Sequence, residues 1–134
     1  MKHVVDYLEQ SNEFSGNAAY MGLSYGVAAG WSLYQGEPRL KALVQLSGGI
    51  PNFPELTPQL IDYMPRIDRP VLQLNGTADF LVPFEEATLA HDLLATPADN
   101  KRLVGYDVGH WPLPPNQMRR EVLLFLDEHL GPST

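Results

Sequence analysis

Three residues of this 134-residue chain have the types and the order that nucleophilic acyl chemistry needs: Ser24, Asp79 and His110. Ser24 stands in "GLSYG", Asp79 in "NGTADFLVP" and His110 in "YDVGHWPLP". A hydroxyl is a poor nucleophile at neutral pH until a base takes its proton. The imidazole that serves as base needs a carboxylate to orient it. Asp107 competes with Asp79, lying three residues before His110. A triad acid has to reach the imidazole from a neighbouring loop, so Asp79 is preferred and Asp107 reads as a strand-end or loop-capping residue. His3, His91 and His129 fall in helical stretches and read as surface residues. No histidine falls at ligand spacing with carboxylates and there is no cysteine, so neither a metal nor another cofactor is expected.

The elements that would have to position these groups alternate along the chain. "AAYMGLS", "KALVQLSGG", "RPVLQLNG" and "KRLVGYDV" read as near-continuous apolar strands, the pattern of strands covered on both faces. Helical periods separate them. Val4, Val5 and Leu8 end an amphipathic helix. Gly26, Ala28, Ala29 and Gly30 form a helix surface of little bulk, with Gly36 as its stop. Ala87, Ala90, Leu93 and Leu94 give helical spacing behind Glu85 and Glu86, two acids favoured in a first turn. In "PPNQMRREVLLFLDEHLG", Met118, Val122, Phe125 and Leu126 share a face, with Asn116 as candidate N-cap and Gly131 as terminator. Residues 49 to 70, with five prolines, break the rhythm as a loop or short-helix excursion. Strands alternating with helices predict right-handed βαβ units: one α/β domain over residues 1–134, a parallel sheet of about four strands flanked by helices on both faces. Asp79 and His110 then follow strand C-termini, the sheet edge where ligands gather in α/β folds.

A side chain is exposed at the end of a buried strand only if the chain turns sharply there, which demands small neighbours. G-x-S-x-G between a strand and a helix is that solution, the nucleophile elbow. "GLSYG", "LNGTADFLVP" and "VGHWP" together resemble the C-terminal half of an α/β-hydrolase, and most the dienelactone-hydrolase and prolyl-oligopeptidase-like branch. The resemblance covers nearly the whole chain. It implies Ser24 as nucleophile, His110 as general base and acid, Asp79 as orienting carboxylate and the Tyr25 backbone N–H as one oxyanion donor. It implies a carboxylesterase-type serine hydrolase acting on small acyl esters, with a peptidase as a variant. Trp111 either walls the acyl pocket or packs on the last helix. Phe53 and Tyr63 either line a substrate cleft or anchor their loop.

The same resemblance implies strands that have no counterpart in these residues, together with the loop that gives the second oxyanion N–H; no HGG-type sequence occurs. The "AAYMGLS" strand, residues 18 to 24, is therefore expected at an edge, long and apolar. Such an edge invites pairing with a two-fold copy or with a separate chain bearing the missing N-terminal half. A catalytically impaired fragment serving as an assembly module is the competing expectation. The net charge of −7, with nine scattered basic residues, argues against a nucleic-acid partner. No apolar run approaches a membrane span. "MKHVVDYLEQSNEF" does not have the pattern of a signal peptide, so a cytoplasmic setting is expected.

Overall fold

In the computed structural model, which describes residues 2–14, 16–52 and 54–132, four parallel strands lie in the order β1-β2-β3-β4. They are β1 (Ala18–Leu23), β2 (Leu40–Leu46), β3 (Val71–Gly76) and β4 (Lys101–Tyr106). The helices are α1 (Lys2–Gln10), α2 (Tyr25–Gly36), α3 (Thr57–Tyr63), α4 (Phe84–Leu93) and α5 (Pro115–Leu130). Because side chains alternate across a strand, each strand feeds two cores. Leu43 and Val71 point toward a cluster with Val27, Trp31, Leu60 and Ala90, from α2, α3 and α4. Ala42, Val44, Leu72 and Leu74 point to the other face, where Phe125 of α5 is buried among them. Helices therefore cover both faces, as the strand pattern predicts.

The excursion at 49–70 contains α3 and a short 3-10 turn, Met64–Arg66, that bury Leu60, Met64 and Ile67. Trp31 is fully buried, and its indole N–H donates to Gly49 O at 3.2 Å, tying the start of the excursion to α2. Close packing of α2 on β1 depends on Gly30, where a Cβ would stand 2.8 Å from the Tyr20 ring.

Four expectations are corrected. β1 is not covered on both faces: Met21 is 59% and Leu23 44% exposed, because α5 packs chiefly over β2 and only touches β1. Asn116 is not the N-cap of α5; it lies inside the first turn, behind Pro114 at the cap and Pro115 at the first helical position. Proline is preorganised for that position and has no N–H to satisfy. His91 is not a surface residue. It is half-buried, its Nδ1–H donating to Gln73 Oε1 at 3.2 Å, while Gln73 donates its own amide to Ala87 O. His129 is also half-buried, edge-on to Phe125 with ring centroids 4.6 Å apart, while His3 is exposed.

Burial, reinforced by the Lys101 ammonium and opposed by Asp92, pushes His91 below its ordinary 6.5. The unfolded chain then takes up the proton first as pH drops through 6.5. Stability is full above that pH, falls toward the lower folded-state value and levels off beneath it. Urea midpoints measured from about pH 7 to about pH 5 should decline in the wild type and decline less in His91→Gln. Equal slopes in both proteins would contradict this assignment.

Candidate active site

Ser24 closes β1 and opens α2. Its backbone sits at φ 52°, ψ −113°, a sparsely populated region for a residue with a side chain. Two bonds hold it there: the Ser24 N–H donates to Leu46 O at 2.9 Å, and Ser24 O accepts from Val27 N at 2.9 Å. The flanking glycines are not equivalent. A Cβ at Gly22 would stand 2.6 Å from Gly26 O, so that position admits no side chain. A Cβ at Gly26 would meet only the Tyr20 hydroxyl, at an ordinary 3.6 Å. The Tyr20 hydroxyl donates to Gly26 O at 2.9 Å, tying the turn back to its own strand.

Asp79 lies in the loop after β3 with its side chain fully buried. Oδ1 accepts from the backbone N–H groups of Leu81 and Val82, both at 2.9 Å. Oδ2 faces His110 Nδ1 at 2.7 Å, and His110 Nε2 lies 2.9 Å from Ser24 Oγ. An ionised carboxylate only accepts, so Nδ1 carries the proton and Nε2 is left to accept from the serine hydroxyl. This tautomer suits a general base. The His110 side chain is 17% exposed, so it is shielded yet reachable.

The two loops bearing Asp79 and His110 are knitted together by backbone bonds. Thr77 N donates to Tyr106 O at 2.7 Å, and Ala78 N to Val108 O at 3.1 Å. Gly76 lies directly under the second loop, where a Cβ would overlap the carbonyl oxygens of Val108 and Gly109. Asp107 is exposed and makes no bond to His110 among the described residues.

Ser24 opens on a cleft of about 290 Å³ whose walls include Tyr25, Gly48, Gly49, Leu81, Val82 and Glu86. Tyr25 is the first residue of α2, where backbone N–H groups lack intrahelical acceptors and the helix dipole favours negative charge. Trp111 is half-exposed and lines neither this cleft nor the core cluster under α5. Tyr63 packs against the α2–α4 core and does not line the cleft. Phe53 lies outside the described residues. Glu86 is a wall that sequence reasoning missed. Its first-turn position in α4 explained it locally, and nothing in the sequence signalled that α4 begins beside Ser24. Among the described residues, no group of three or more His, Cys, Asp or Glu side chains could hold a metal ion, and no helix is long and apolar enough to cross a membrane.

No protein-family model and no curated protein sequence matches the chain. Solved structures do. A cold-adapted esterase from an Arctic intertidal metagenomic library superposes with TM-score 0.81 at 23% identity, over 96% of this chain and 56% of that one. An esterase of Pyrococcus furiosus gives 0.80 at 20%, over 97% and 61%. A monoacylglycerol lipase of Paleococcus ferrophilus gives 0.77 at 15%, over 96% and 72%. The chain thus spans little more than half the length of the first of these structures. With its four parallel strands, helices on both faces and serine turn after β1, it has the α/β-hydrolase fold.

Proposed function

We propose that this chain carries the catalytic centre of a carboxylesterase-type serine hydrolase that cleaves small acyl esters through an acyl-enzyme. Ser24 Oγ attacks the ester carbonyl as its proton passes to His110 Nε2. Asp79 keeps the imidazole in the required tautomer and stabilises the imidazolium. The Tyr25 N–H donates to the developing oxyanion. The imidazolium then protonates the departing alcohol, and water activated by His110 releases the acid. One observation carries the reading: two hydrogen bonds in line, 2.9 and 2.7 Å, joining a hydroxyl, an imidazole and a carboxylate from three separate loops. The esterases among the similar structures favour an ester over an amide, and a peptidase of the prolyl-oligopeptidase-like branch is the variant reading.

A fluorophosphonate probe tests it. The expected result is a single adduct, mapped by mass spectrometry to the peptide containing Ser24 and absent from Ser24→Ala. A folded protein that takes up no probe would overturn the reading.

One observation favours a second role, that of an assembly module. Among the described residues β1 pairs only with β2, and its free edge adjoins exposed Met21 and Leu23. In this reading the edge pairs with a two-fold copy to extend the sheet, or with a separate chain bearing the early strands of the fold. Light scattering at micromolar concentration should then give a dimer mass, or a complex once such a chain is added. A monomer under both conditions would contradict it.

A further inference from the structure

We propose that Glu86 is a specificity-determining residue that selects esters bearing an ammonium group on the part seated in the cleft. This rests on the hydrolase reading above.

Among the described residues, Glu86 is the one charged residue that lines the cleft with Ser24, and no lysine or arginine joins it there. Its position is fixed by backbone. The Glu86 N–H donates to Pro83 O at 2.9 Å, and Glu86 O accepts from Ile50 N at 3.4 Å. Gly49 packs so tightly on this turn that a Cβ there would stand 2.6 Å from the Glu86 carbonyl carbon. Gly49, another wall of the cleft, therefore fixes where this turn of α4 sits.

The charge is uncompensated. Asp79 spends its oxygens on Leu81 N–H, Val82 N–H and His110. Among the described residues, the Glu86 carboxylate has neither an ion pair nor a hydrogen bond. Partial burial, with the Asp79 charge nearby, holds it above the ordinary carboxylate range. A half-buried carboxylate beside another carboxylate lacks a counter-ion, and a cationic ligand would supply it. Tyr25, 75% exposed on the same cleft, offers an aromatic face of the kind that attracts quaternary ammonium groups. An anionic group seated beside Glu86 would be repelled by it.

The test compares acetylcholine with its uncharged isostere, in which tert-butyl replaces trimethylammonium, and with an ester ending in a carboxylate. The same end groups are then carried on the acyl side. The wild type is expected to favour the cationic over the neutral ester on the order of tenfold in kcat/KM, chiefly through KM. It should disfavour the anionic ester by a similar factor. In Glu86→Gln both ratios should fall toward one, and added salt should shrink them in the wild type alone. Ratios unchanged by the substitution, or a wild type indifferent to charge, would overturn the inference while leaving the hydrolase reading intact. Turnover of none of the esters would sink the hydrolase reading instead. The Glu86 inference is then decided by titrating choline into Ser24→Ala, with and without Glu86→Gln, and following Tyr25 by NMR. Binding that needs Glu86 sustains it, and binding indifferent to Glu86, or none, overturns it.

Discussion

Ser24→Ala is expected to lower esterase kcat/KM by about ten-thousand-fold or more, and the triple change Ser24→Ala, Asp79→Asn, His110→Ala should be scarcely worse. Groups that act as one unit fail as one unit. The more discriminating member of the series is Asp79→Asn. The clamp of Leu81 and Val82 N–H groups on Oδ1 demands an acceptor at that position. An asparagine there must turn its carbonyl to the clamp and its NH2 toward His110 Nδ1. The amide then donates to Nδ1, the ring proton moves to Nε2, and the imidazole offers Ser24 a donor where a base is needed. This nearly isosteric change should therefore cost about ten-thousand-fold in kcat, with little loss of folding stability. Steady-state kinetics beside thermal melts decides it. Retention of more than about a tenth of the activity would contradict the tautomer assigned to His110.

What the sequence could disclose was whatever is written locally. Apolar runs marked the four strands, and the tight turn at Ser24 required glycine at position 22. That Ser24, Asp79 and His110, which follow β1, β3 and β4, gather at one edge was legible from topology, because parallel strands deliver their C-termini to one edge. What stayed hidden depends on contacts between distant segments. Met21 and Leu23 have the composition of core residues, and only the placement of α5 leaves them uncovered. His91 looks like any polar helix residue until Gln73 is found beneath it. Gly26 and Gly22 are alike in the motif, yet only Gly22 is sterically compelled. Glu86 is good helix chemistry in one dimension and a cleft wall in three.

The same distinction between local and distant constraint makes Gly76→Ala the largest effect expected from a residue outside the proposed triad. Gly76 ends β3, three residues before Asp79, and has no unusual backbone angle to explain its glycine. Its constraint is across the sheet, where the carbonyl oxygens of Val108 and Gly109 occupy the space a methyl would need. Backbone oxygens cannot rotate away as a side chain can, so the loop must shift, and His110 with it. A displacement of about 1 Å at a catalytic group costs on the order of a hundred-fold in rate, and overpacking of this kind about 1–3 kcal/mol in stability. Gly105→Ala, on the neighbouring strand, is the internal comparison. A Cβ there would press on Thr77 Cγ2 at 2.7 Å and the Phe84 ring at 3.0 Å, which are side chains that can give. It should lose stability while fluorophosphonate labelling of Ser24 keeps most of its rate. Gly36→Ala, at the end of α2 where a Cβ meets nothing within 4 Å, should leave labelling untouched and cost no stability. If Gly76→Ala and Gly105→Ala slow labelling equally at matched stability, the loop is held by something other than the contact at Gly76. If only Gly76→Ala slows it, the register between the Asp79 and His110 loops is set by the absence of one methyl group.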